Sequence, residues 1–141
     1  MLKTFSLAFL RVSTGLLLVV WGVIRLGAPD AGAGVSNKYY GGLGASTVIQ
    51  YAWGAALFVI GALVILGLFR KIALPAQAVV LCVGAVSITK YLVDPLGMWL
   101  LSREESQLLF FPSLALAAAS LLLIAMRDED QWAIDSLRQS N

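Results

Sequence analysis

Apolar residues along this chain collect in four long runs, and the polar residues fall in the gaps between them. The runs extend from about Phe5 to Leu26, Thr47 to Phe69, Ile72 to Val93 and Gln107 to Met126. Each is close to the ~20 residues that an α-helix needs to cross the hydrocarbon of a bilayer. The pattern predicts an all-α fold, a four-helix transmembrane bundle, with residues 1–141 forming one integral membrane domain.

The gaps fix the connections. Gly27 to Ser46, rich in Gly, Ala, Asn, Asp and Ser, reads as a long loop, with Tyr39 and Tyr40 resting on the membrane surface. Arg70–Lys71 makes a very short basic turn, with Pro75 in the first turn of the helix that follows, so the second and third helices form an antiparallel hairpin. Asp94–Pro95 ends the third helix, because the residue before a proline is pushed out of helical geometry. The loop from Gly97 to Ser106 carries Trp99, Arg103, Glu104 and Glu105, and Ser106 is positioned to cap the fourth helix. For the tail, 127–141, two expectations stand side by side: a short helix lying on the membrane, or a frayed end.

Composition agrees with the pattern. Of 141 residues, 60% are hydrophobic and 13% charged, about half the charged share of a soluble domain. A water-soluble domain of this size could not bury so much apolar surface. A net charge of +2, with scattered basic residues, gives no footprint for nucleic acid. There is one cysteine, Cys82, and no histidine. The chain therefore has no intrachain disulfide and lacks the usual haem ligand and the usual acid–base group near neutral pH. No catalytic residue, metal site or cofactor is predicted, and activity by the chain alone ranks lowest among its functions. The apolar N-terminal run continues past any plausible cleavage point to Trp21, Ile24 and Leu26, which predicts a retained first helix rather than a cleaved signal.

With four crossings, both termini share one side. Lys3, Arg11, Arg70, Lys71, Arg127 and Arg138 lie there, against Arg25, Lys38, Lys90 and Arg103 opposite. The excess, and above all the tight Arg70–Lys71 turn, predicts cytoplasmic termini. Gly15 and Gly22, and likewise Gly54 and Gly61, are spaced seven apart on one helix face, and Ala115 to Ala119 gives the fourth helix a smooth patch. Such small-residue faces let helices approach closely, inside the bundle or across a dimer seam, and the first reading is preferred.

Candidate chemistry collects at the end opposite the termini. Ser87, Lys90, Tyr91 and Asp94 lie on one stripe of the third helix, with Lys90 and Asp94 spaced for an ion pair. Arg25 ends the first helix at that face, and Gln50 and Tyr51 begin the second. Arg25, Gln50, Tyr51, Lys90 and Asp94, with Asp30, would make a polar cup for an anionic, lipid or quinone-like head group. A salt-bridge cluster pinning the helix ends is the structural alternative. Arg11 is expected to anchor the first helix at the opposite interface or to touch lipid phosphate.

The run Arg11-Val12-Ser13-Thr14-Gly15 through Trp21-Gly22-Val23-Ile24-Arg25-Leu26-Gly27 resembles the first helix of DoxX-like membrane proteins. Arg11, Gly15, Trp21, Gly22, Arg25 and Leu26 follow that family's order, with Trp21 where many members have histidine. The resemblance implies a small multi-pass protein of the bacterial inner membrane. It also implies a non-catalytic accessory or scaffold subunit of a membrane redox or respiratory complex, with other membrane subunits, or itself, as partner. The alternative is a membrane binder or transporter of a small anionic, lipid or quinone-like ligand held by the polar cup.

Overall fold

A computed structural model of the protein describes residues 1–139, and among these all regular structure is helical. The elements are α1 Leu2–Gly27, α2 Pro29–Tyr39, α3 Thr47–Leu66, α4 Arg70–Ser87, α5 Thr89–Val93, α6 Pro112–Ala125 and α7 Ile134–Gln139, with single 3-10 turns at Leu108–Phe110 and Arg127–Glu129. Four segments are long and apolar enough to cross a membrane: α1, α3, α4, and α6 together with the 3-10 turn before it. They carry the chain up and down between a tail end, which holds the N-terminus and α7, and a loop end.

α1 and α3 form the largest interface, followed by α4 with α6. The glycines explain how closely the first pair packs. A Cβ added to Gly22 would lie 2.7 Å from the Gly54 carbonyl oxygen, and one added to Gly61 would lie 2.6 Å from that of Gly15. The two seven-residue glycine pairs therefore face each other inside the bundle, backbone against backbone.

Two apolar clusters fill the interior. Val64, Ala73, Leu74 and Leu123 lie toward the tail end. Leu18, Leu57 and Leu81 lie toward the loop end.

Several boundaries differ from the sequence reading. Part of the expected 27–46 loop is a helix, α2: Pro29 occupies its first turn with Asp30 beside it, both favourable at a helix start. Gly41, Gly42 and Gly44, all at positive φ, then turn the chain into α3. α3 stops at Leu66 rather than Phe69, because Gly67 takes the left-handed conformation (φ 68°) and its N–H returns to Val64. The third span starts at Arg70 and breaks at Ile88 into α4 and α5. Ser106 does not cap the fourth helix; its hydroxyl donates to the Arg103 carbonyl at 2.8 Å, and α6 begins only at Pro112.

Among the described residues the tail carries a short helix, α7, as one of the two expectations has it. It folds back over the ends of α1, α3 and α4, with Ala133 wholly buried. A Cβ on Gly67 would stand 2.5 Å from that of Ala133, so only glycine admits the tail there. The last two residues of the predicted tail, 140 and 141, lie outside the described residues.

Candidate functional site: a cleft at the loop end

The charged residues separate into two groups, and the contrast locates the site. At the tail end Arg11 and Arg70 are both buried. Arg11 does not reach for a lipid interface: its Nε donates to Asp130 at 2.6 Å, its Nη1 to the carbonyls of Val64, at 3.0 Å, and Ile65, and its Nη2 to Trp132 O at 3.2 Å. The reason is local. The last carbonyls of α3 lack the full helical set of donors, Val64 O receiving the Gly67 N–H, and a cation is favoured there. Arg70 takes the Arg127 and Asp130 carbonyls, at 2.5 and 3.2 Å, and Ser136 Oγ at 2.7 Å. Asp135 in turn accepts from the Arg70 backbone N–H at 2.9 Å, capping α4. Two buried arginines thus meet two carboxylates, Asp130 and Asp135. The two buried pairs form a charge-balanced lock.

Arg25 has no such balance. Among the described residues it makes no ion pair, and its hydrogen bond is to Gln50 Oε1. Gln50 is buried and fully engaged: its Nε2 donates to Gly44 O at 2.6 Å and Ser36 Oγ at 3.2 Å. This one amide ties α1, α2 and α3 together. Gly32 of α2 lies so close to Gln50 Oε1 that a side chain there would collide with it, which explains a glycine inside that helix.

A cleft of about 370 Å³ opens beside this junction. Its polar part is Arg25, Ser36, Tyr40, Gln50 and Ser87; Trp21, Trp53, Leu57, Val79 and Val83 form much of its apolar wall. Val79 and Val83 are 62% and 59% exposed, so the wall continues onto the surface that faces lipid in a membrane. Burial pushes the Tyr40 phenol above its ordinary pKa, with the Arg25 charge pulling the other way. Tyr40 therefore remains a neutral donor at physiological pH. Neither its hydroxyl nor the remaining Arg25 N–H groups make a hydrogen bond among the described residues. Among the described residues no carboxylate lines the cleft.

The cup expected from sequence is brought together only in part. Arg25 and Gln50 line the cleft; Tyr51, Lys90, Asp94 and Asp30 do not. Tyr51 is half-exposed on another face of α3. Lys90 is exposed with its ammonium 4.8 Å from the Tyr91 ring, and it forms no ion pair with Asp94. Asp94 has more numerous partners: its carboxylate accepts backbone N–H groups from Met98, Trp99, Leu100 and Leu101 at 2.7–3.1 Å. Those bonds, led by Met98, hold its pKa well below the ordinary carboxylate value against the opposing effect of burial. Asp94 organises the 94–101 loop and is not part of the cleft.

The sequence reading missed Ser36, Tyr40, Trp21 and Trp53 as lining residues. For Ser36 and Tyr40 the signal was the predicted loop itself, because α2 is what brings them over the end of α3; Trp21 and Trp53 lie on α1 and α3, one helical turn from Arg25 and Gln50. Among the described residues no group of acidic, histidine or cysteine side chains is arranged to hold a metal. Comparison with protein-family models, with curated proteins and with solved structures finds no match to this chain.

Proposed function

We propose that this chain binds an amphipathic molecule with an anionic or carbonyl-bearing head, drawn from the membrane into the loop-end cleft. One observation carries the reading: Arg25 is a half-buried guanidinium with no counter-carboxylate, set at the head of an apolar-walled cleft that offers donors and no acidic group. An ionisable side chain in a span is expensive to keep without a function. Its free N–H groups and the Tyr40 hydroxyl suit a carboxylate, a phosphate or a quinone carbonyl, and the valine and tryptophan wall suits the chain behind it.

The test uses a brominated fatty acid, which quenches the fluorescence of Trp21 and Trp53 when it enters. Quenching saturates for the unaltered protein in nanodiscs and weakens about tenfold or more for Arg25→Gln, the size of a lost charge-assisted hydrogen bond. Lys90→Ala leaves it unchanged. Equal quenching by Arg25→Gln overturns the reading.

A second reading is favoured by α6. Only 17% of its span is buried, the least of the four, and Ala115 and Ala118 of its smooth patch face outward. An exposed small-residue face suits docking of another transmembrane helix. This supports an accessory subunit of a larger assembly, a redox complex on the DoxX-like resemblance, in a bacterial inner membrane with cytoplasmic termini. Stoichiometric co-purification of a partner in mild detergent, lost on replacing Ala115 and Ala118 with leucine, tests it.

A further inference from the structure

The two apolar clusters share Ile60 of α3, but on each of the other three spans a polar residue stands between them. On α4, Leu74 belongs to one and Leu81 to the other, and Gln77 lies between them. On α1, Leu10 and Leu18 bracket Thr14; on α6, Leu123 and Leu116 bracket Ser120. A polar layer therefore joins α1, α4 and α6 at mid-span, and Gln77, Thr14 and Ser120 are 0–2% exposed.

Neither amide atom of Gln77 finds a hydrogen-bond partner among the described residues. Thr14 and Ser120 have each donated their hydroxyl hydrogen to their own helix, to Leu10 O at 2.8 Å and Ala117 O at 2.6 Å. Both oxygens keep lone pairs free to accept. A buried amide with no partner is costly, and enclosed polar groups in proteins are commonly satisfied by ordered water. We propose that this layer is a water-binding site: a buried water accepts from Gln77 Nε2 and donates to the hydroxyl oxygens of Thr14 or Ser120. The site is separate from the loop-end cleft, because Leu18, Leu57 and Leu81 lie between the layer and that end.

Water-edited solid-state NMR of protein labelled with 15N-glutamine, in bilayers, reads the site directly. The Gln77 side-chain NH2 signal, identified by its loss in Gln77→Leu, receives magnetisation from water at short mixing times despite its burial. In the Thr14→Val/Ser120→Ala double variant the transfer slows about twofold or more, as the water loses its acceptors. Arg25→Gln leaves the transfer unaltered whether or not the cleft binds a ligand, so failure here is separable from failure of the proposed function. A Gln77 amide that receives nothing from water, or transfer unaffected in the double variant, overturns the proposal.

Discussion

Asp94 and Glu104 show how differently two carboxylates can be used ten residues apart. Glu104 is exposed, whereas the Asp94 carboxylate is enclosed and takes four backbone N–H groups. Asp94→Ala therefore lowers the melting temperature in detergent more than Glu104→Ala; equal values would refute the account. The pH dependence follows from the lowered pKa. A carboxylate that is more acidic folded than unfolded contributes its full stabilisation above its ordinary value of 3.8. That contribution declines as pH falls from there and is lost once the folded value is passed. The melting difference between the unaltered protein and Asp94→Asn should therefore hold from neutral pH to about 4 and shrink only in stronger acid. A difference already fading near neutrality would contradict the cage.

At the scale of elements, packing rests on backbone approach. Gly22 leaves no room for a methyl group, and its nearest obstacle, the Gly54 carbonyl oxygen, cannot swing aside as a side chain could. Gly22→Ala should cost about 1–3 kcal/mol, the usual penalty of overpacking, read as a lowered unfolding midpoint. Gly84, which has open space around it, should accept alanine at little cost. The glycine pairing was legible because a seven-residue spacing places both residues on one face. The four spans were legible because their apolar runs are as long as a bilayer is thick. α2 was not, because Gly, Asn and Ser are weak helix formers and its contacts with α1 and α3 outweigh that weakness. The site was half legible for the same reason. Arg25 and Gln50 could be placed by register on long helices, but Ser36 and Tyr40 depend on α2. Lys90 and Asp94 followed helical spacing into an ion pair that competing backbone donors preclude.

Over the whole molecule a charge-balanced lock stands at one end and, among the described residues, an arginine without an ion pair at the other. Arg11 and Arg25 lie on one helix, 14 residues apart by number, so about 21 Å along its axis at 1.5 Å per residue. Arg11 is locked by Asp130 and the α3 carbonyls, while Arg25 faces the cleft. Truncating a partner of a buried pair leaves the other charge uncompensated and costs about 3–5 kcal/mol. Arg11→Met should therefore melt well below the unaltered protein. A fatty acid that binds only the folded state raises the melting temperature by an amount set by its affinity and concentration. Distant sites without shared partners contribute independently. The same fatty acid should then raise the midpoint of Arg11→Met by the same increment as the unaltered protein, from a lower baseline. Arg25→Gln should lose that increment. An increment lost in Arg11→Met would mean that the tail lock shapes the cleft, and one kept in Arg25→Gln would mean that the ligand sits elsewhere.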